Sequence, residues 1–354
     1  MKEWRANIRN VVPYVPGDQP KGDRLIKLNT NENPYPPAPG VAEALRTMDY
    51  DRFRKYPDPA VSDLVHTLAS YYHVADDQVF VGVGSDDVIA MTFLTFFNSE
   101  KPVLFPDVTY SFYKVWADLF QIPFETPELD AEFQICPKDY YKENGGVIFP
   151  NPNAPTGLYM PLDQVEDIIQ HNQDVIVIVD EAYIDFGGRS ALELISKYDN
   201  LLVVQTFSKS RSMAGMRIGF AMGNPELIKA MNDVKYSYNS YTMNMPSIVL
   251  GVKAVEDDAY FKENLKKIVD TRERSKVRLK ELGFSFPDSM SNFIFAKHER
   301  VSAAKIFEAL KQEQIYVRYF PQPRLDEYLR ISIGTDAEMD ALFAFLESFL
   351  KRSL

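Results

Sequence analysis

Short, uninterrupted apolar runs recur along the chain: QVFVGVG (78–84), PVLFPD (102–107), GVIFP (146–150), VIVIVD (175–180), LLVVQTF (201–207) and RIGFAMG (217–223). Between them lie AVSDLVHTLASYY (60–72), SDDVIAMTFLTFF (85–97), SFYKVWADLF (111–120) and LDQVEDIIQHN (162–172). These segments carry apolar residues at helical spacing. Strands that read as solid apolar runs, rather than alternating ones, are buried on both faces. The pattern therefore predicts an α/β fold with a mostly parallel sheet flanked by helices. In such sheets ligands bind beyond the carboxyl ends of the strands, so the polar residues that close each run are the first candidates for chemistry.

The two ends of the chain read differently. The first forty residues are rich in Pro, Asn and Gly (VVPYVPGDQPKGD, LNTNENPYPPAPG), which predicts an extended arm and loops. After about residue 245 a long charged helical stretch runs from Pro246 to Leu282. It is followed by strand NFIFAK (292–297), helix VSAAKIFEALKQE, strands IYVRYF and YLRISIG, and helix DAEMDALFAFLESFLKR. This predicts a second, small α/β domain with three strands. A chain of 354 residues suits two unequal domains. The expected division is an arm at 1–29 that belongs to the small domain, a large domain at 30–245 and a small carboxyl-terminal domain at 246–354.

Composition adds limits. Hydrophobic residues at 45% and charged residues at 25% are ordinary for a globular protein. A net charge of −11 disfavours nucleic acid and anionic membranes as partners, while leaving room for a local basic pocket. The single cysteine, Cys136, excludes an internal disulfide, and the four histidines have no metal-type spacing, so no metal is expected. The amino terminus has no apolar leader segment and no run reaches membrane-spanning length, which predicts a soluble, cytoplasmic protein.

Five run-ends carry candidate chemistry. In TFSKSRSMAGMRIGF (206–220), Lys209 follows a strand directly and Arg217 precedes the next one. An amine in such surroundings can be neutral enough to form an imine with an aldehyde, and Ser208 and Arg217 suit a phosphate. Alone, the segment reads rather as a surface turn with solvated basic residues, since lysines are almost always exposed. In VIVIVDEAYIDF (175–186), Asp180 ends a buried strand, where a carboxylate needs a cation or several donors. A protonated pyridine nitrogen is one such cation, with Tyr183 in reach of the ring's phenolic oxygen; a Mg²⁺ site or a helix cap is the alternative. In VGVGSDDVIAM (81–91), Ser85 and Asp86 open a helix whose free N–H groups suit an anion, or simply form an N-cap. FPNPNAPTG (149–157) offers turn asparagines, and Tyr110 in PDVTYSFYKV (106–115) is either a ring-stacking residue or a core tyrosine.

The order GSD, TY, NPNxPTG, DEAY, SK, GxR resembles the fold-type I, class I/II aminotransferases over essentially the whole chain. The resemblance implies a large domain built on a mostly parallel, seven-stranded-type sheet, a small α/β domain, an amino-terminal arm, a homodimer and pyridoxal 5′-phosphate as cofactor. It implies Lys209 as the Schiff-base lysine and proton carrier, Asp180 at the pyridinium nitrogen, Tyr183 at the phenolic oxygen and Tyr110 stacked on the ring. Ser85, Asp86, Ser208 and Arg217 would hold the phosphate. Within the family, NVVPY, LNTNENP, RKYPD and DEAYIDF resemble the branch that transaminates histidinol phosphate with 2-oxoglutarate. There Tyr56 would reach the partner subunit's cofactor phosphate, while Tyr14, Asn31, Arg318 and Arg330 would face substrate. An aromatic or broad-range aminotransferase, or a threonine-phosphate decarboxylase-like lyase, shares much of the pattern. The chain departs from the family at Ala154, where an asparagine ordinarily meets the phenolic oxygen. Asn153, Asn151 or Tyr183 alone would take that role.

Overall fold

The computed structural model describes residues 3–14, 17–22 and 25–353. Its strands, in chain order, are β1 (Ile26–Leu28), β2 (Val79–Gly82), β3 (Val103–Leu104), β4 (Phe124–Glu125), β5 (Gly146–Pro150), β6 (Val177–Asp180), β7 (Leu201–Thr206), β8 (Gly219–Gly223), β9 (Phe284–Ser285), β10 (Phe293–His298), β11 (Ile315–Tyr319) and β12 (Leu329–Ser332). They form a seven-stranded sheet in the order β2-β8-β7-β6-β5-β3-β4 and a five-stranded sheet in the order β1-β11-β12-β10-β9.

The apolar runs become the central strands of the larger sheet, and the period of two along each strand sorts its side chains. Ile148, Ile178, Leu202 and Val204 point to one face, under the helices Ser85–Phe96 and Phe112–Phe120. Val147, Phe149, Val177, Val179, Leu201 and Val203 point to the other, under the helix Leu162–Gln170. Each such fully buried side chain contributes about 1.5–3 kcal/mol, so the central strands form a stiff floor. A third core joins Val79, Val81, Phe220 and Met222 to the helices Ser62–Tyr72 and Met245–Glu256.

Strand direction decides where the polar run-ends meet. β3 through β7 are parallel, whereas β8 runs antiparallel to both β7 and β2. The first residue of β8, Gly219, therefore pairs with the last residues of β7 and β2, Thr206 and Gly82. At the same edge Pro150 pairs with Asp180. The segments containing Ser85, residues 151–157, Asp180, Lys209 and Arg217 thus converge on one edge.

Two expectations need correction. The charged stretch from Pro246 to Leu282 is two helices, Met245–Glu256 and Asp258–Glu281, broken at Asp257, whose ψ of 57° leaves the helical region. The helical period continues through that residue, so periodicity alone does not register the break. The small sheet has five strands rather than three. β1 comes from the segment read as arm and loop, and β9 has two residues. Strands this short carry no period to detect; β1 exists because it pairs in parallel with β11.

Candidate active site

Beyond the converged strand ends lies a cleft of about 730 Å³, its open mouth included, within the size range of small-molecule sites. Ser85, Asp86, Tyr110, Asp180, Tyr183, Ser208, Lys209 and Arg217 all line it, together with Ala154. Eight of the residues singled out by sequence are therefore brought together.

Lys209 stands on a closely tied turn. Phe207 is fully buried, its N–H donates to the Ile218 carbonyl, and its own carbonyl accepts from Met213. The lysine Nζ, half-buried, donates to the Thr30 carbonyl at 3.3 Å and lies 5.8 Å from the centre of the Tyr183 ring. Asp180 is buried at the end of β6. Its Oδ2 accepts from the Tyr113 hydroxyl at 2.7 Å and its Oδ1 from the Ala182 N–H at 3.2 Å. Burial pushes this carboxyl up to about 6, against the opposing pull of those two donors.

The opposite wall is an anion cradle. The N–H groups at the start of the Ser85–Phe96 helix open onto the cleft. Gly84 precedes them at φ 87°, a left-handed conformation suited to glycine. Gly219 approaches from β8 so closely that a Cβ there would lie 2.3 Å from the Gly84 carbon and the Ser85 nitrogen. Arg217 pairs with Asp86 at 3.1 Å and donates to the Ser208 hydroxyl at 3.4 Å. The Tyr110 hydroxyl donates to Asp86 at 2.6 Å. Burial, then the charge of Asp86, pushes that hydroxyl's pKa upward, so Tyr110 keeps its proton.

The remaining sequence candidates lie around this centre. Asn31 Nδ2 donates to the Tyr183 hydroxyl at 2.9 Å. Arg318 and Arg330 sit opposite one another on β11 and β12. Arg330 donates to the Asn29 carbonyl at 3.1 Å, and its Nε is buried without a partner among the described residues. Burial holds the Arg330 pKa below its usual value, and Arg318 adds to that effect. Tyr14 stacks on Phe112, with centroids 4.3 Å apart. Tyr56 is exposed outside the cleft, stacked on Tyr241 at 4.6 Å. Asn153 does not line the cleft. Its Nδ2 donates to the Val108 carbonyl at 3.0 Å and its Oδ1 accepts from Thr109 at 3.2 Å, so its amide is spent on the turn. Sequence reasoning missed Tyr113, Thr30 and Glu32. Tyr113 lies in the first turn of the helix Phe112–Phe120, where a tyrosine reads as core.

Comparison with known proteins finds relatives over nearly the whole chain. Residues 23–346 match the family model described as aminotransferase class I and II. The chain is 51% identical to the histidinol-phosphate aminotransferase of Clostridium acetobutylicum, covering 96% of each chain. It is 49% identical to histidinol-phosphate aminotransferase 1 of Hydrogenovibrio crunogenus, covering 98% of each. Among solved structures, it resembles the histidinol-phosphate aminotransferase of Sinorhizobium meliloti in complex with pyridoxal-5′-phosphate, with a TM-score of 0.84 and 24% identity over 93% of this chain and 92% of that one.

Proposed function

We propose that this chain, which belongs to the aminotransferase class I and II family, transfers the amino group of L-histidinol phosphate to 2-oxoglutarate, giving imidazole-acetol phosphate and L-glutamate. The observation that carries the reaction is the placement of an amine, Lys209, and a buried carboxylate, Asp180, in one cleft beside a helix amino terminus. The substrate reading is supported by identities of 47–51% over nearly the full length to proteins of that name.

The cofactor is pyridoxal 5′-phosphate, and the residues present fit it. A buried carboxylate whose charge is penalised by burial gains from a cationic partner, and a pyridinium nitrogen is one. The glycine-lined cradle with Ser208 and Arg217 suits a phosphate. When bound, pyridoxal phosphate supplies an aldehyde that captures amines and a ring that withdraws electrons from the substrate carbon. The chain supplies the rest. Lys209 Nζ holds the cofactor and moves the proton between substrate Cα and cofactor C4′. Asp180 keeps the ring nitrogen protonated. Tyr183 donates to the phenolic oxygen, and Tyr110 covers the ring face. Ser85 and Asp86 hold the phosphate through their N–H groups.

Arg318 and Arg330 receive the anionic group of each substrate in turn. Two like charges face each other across adjacent strands, which is unfavourable unless an anion joins them. Replacing Arg330 by glutamine is expected to lower kcat/KM about 10–100-fold for both histidinol phosphate and 2-oxoglutarate. Steady-state kinetics with each substrate varied checks this, and unchanged values for both would remove Arg330 from the substrate site.

The protein works as a homodimer in the cytoplasm. Tyr50, Phe53, Tyr56, Tyr238 and Tyr241 expose aromatic surface that suits a second copy, with Tyr56 completing the partner's phosphate site. Tyr56→Phe is expected to weaken cofactor binding about ten-fold in a protein that sediments as a dimer. A monomer at micromolar concentration, or unchanged cofactor affinity in the variant, would contradict this assembly. The lone cysteine, exposed and free, suits a reducing compartment. Among the described residues no helix is long and apolar enough to cross a membrane.

The test of substrate is a half-reaction. Stoichiometric histidinol phosphate should bleach the visible band of the loaded protein, whereas phenylalanine and tyrosine should not. Strong bleaching by the aromatic amino acids favours a broad-range aminotransferase, and release of CO₂ from threonine phosphate favours a lyase.

A further inference from the structure

We propose that Ser332 and Asn31 form a relay that fixes the direction of the Tyr183 hydroxyl, making it a hydrogen-bond donor to the cofactor's phenolic oxygen in place of the asparagine that Ala154 lacks. This rests on the cofactor reading above. The Asn31 N–H donates to Ser332 Oγ at 2.9 Å, so the Ser332 proton must point elsewhere. It goes to Asn31 Oδ1, also at 2.9 Å. That contact fixes the side-chain amide, with Oδ1 toward Ser332 and Nδ2 toward Tyr183. An amide nitrogen donates and does not accept. At 2.9 Å the Tyr183 oxygen is therefore the acceptor, and its own proton is left free to point into the cleft that Tyr183 and Ala154 line.

The relay is held firmly. Asn31 adopts φ 57°, a left-handed conformation that asparagine tolerates, and its carbonyl accepts from Asn292 Nδ2 at 2.9 Å. Asn31, Asn292 and Ser332 are buried. Ser332 ends β12 and Asn292 precedes β10, so the five-stranded sheet sets a proton position at the edge of the seven-stranded one. The turn cannot supply the same donor. Asn151 clamps Met160 through both ends of its amide, at 2.9 and 2.8 Å, and Asn153 is engaged with Val108 and Thr109. Asn31 and Ser332 are thus positioning residues that act through Tyr183.

A donor at the phenolic oxygen draws off negative charge that would otherwise retain a proton on the cofactor-bound Lys209 nitrogen. Losing the donor raises the pH midpoint at which the visible band changes. The test is a pH titration of that band in the loaded protein. Asn31→Asp offers Tyr183 a charged acceptor and should capture its proton. The midpoint should then rise by about one pH unit more in the Tyr183 protein than in a Tyr183→Phe background, where only the added charge acts. Ser332→Ala, which adds no charge, should raise it by about half a unit. Equal shifts from Asn31→Asp in the two backgrounds, or no shift from Ser332→Ala, would overturn the relay. If the unaltered protein has no such band, the cofactor reading fails instead, and the two failures are told apart.

Discussion

Replacing Lys209 by alanine is expected to abolish covalent trapping of pyridoxal phosphate by borohydride and to lower kcat by about 10⁴-fold or more. The size follows from the two roles that fall on one atom. In the proposed function Lys209 Nζ both holds the cofactor and carries the proton, and the turn that fixes it is tied by the Phe207 hydrogen bonds to Ile218 and Met213. Of the basic side chains nearby, Arg217 pairs with Asp86 and donates to Ser208, while Lys27 pairs at 2.5 Å with Glu32, which lines the cleft. The check is mass spectrometry of the reduced, digested protein. The cofactor mass should appear on the Lys209 peptide of the unaltered protein and nowhere in the variant. A trapped adduct in Lys209→Ala would mean that another amine is the anchor. Lys209→Arg should be equally inactive, because it keeps the charge but not a nucleophilic amine.

That Lys209 could be found from sequence reflects how parallel sheets are built. A strand buried on both faces must be apolar along its length, so its end is marked by the first polar residue. Asp180 is such a residue at the end of β6, whereas β7 turns polar at Gln205 and Thr206 before Ser208 and Lys209 follow; the structure gathers these ends because the strands are in register. Features resting on pairing or packing without a period were invisible. β1 is three residues that exist through β11, and Asp257 breaks a helical stretch whose apolar spacing continues across it. Tyr113 escaped notice for a related reason. A fully buried tyrosine on a helix reads as core, and only its 2.7 Å contact to Asp180 distinguishes it. The facing arginines, Arg318 and Arg330, could each be named from their strands, but their opposition depends on the antiparallel register of β11 and β12. Asn153 shows the converse: its motif suggested a ligand, while the fold spends its amide on the turn.

Asp180→Asn is expected to lower kcat about 10²–10³-fold while changing the pH response of the cofactor-free protein, and the second effect separates electrostatics from shape. The asparagine is nearly isosteric: its Oδ1 can keep the Ala182 N–H while its Nδ2 donates to the Tyr113 hydroxyl, which turns to become the acceptor, so the β6 end should keep its form. What it cannot do is carry the negative charge that holds a ring nitrogen protonated. In the cofactor-free protein, burial pushes the Asp180 carboxyl from 3.8 up to about 6. The native state therefore binds a proton there that the unfolded chain has already released. Stability falls as pH rises across that window, by up to about 3 kcal/mol. Glu181, on the opposite face of the sheet and held by Ser190, Ala191 and Gln205, is likewise pushed up by burial, to about 7. Its contribution persists in the variant and serves as an internal control. Denaturant unfolding of the two cofactor-free proteins between pH 4 and 7 should show a shallower decline for Asp180→Asn, with the remaining slope displaced toward pH 7. Added pyridoxal phosphate should stabilise the unaltered protein more as pH rises, because an ionised Asp180 then gains its cationic partner. Parallel stability curves for the two proteins would show that Asp180 is not the buried, proton-binding carboxylate on which this account of the ring nitrogen depends.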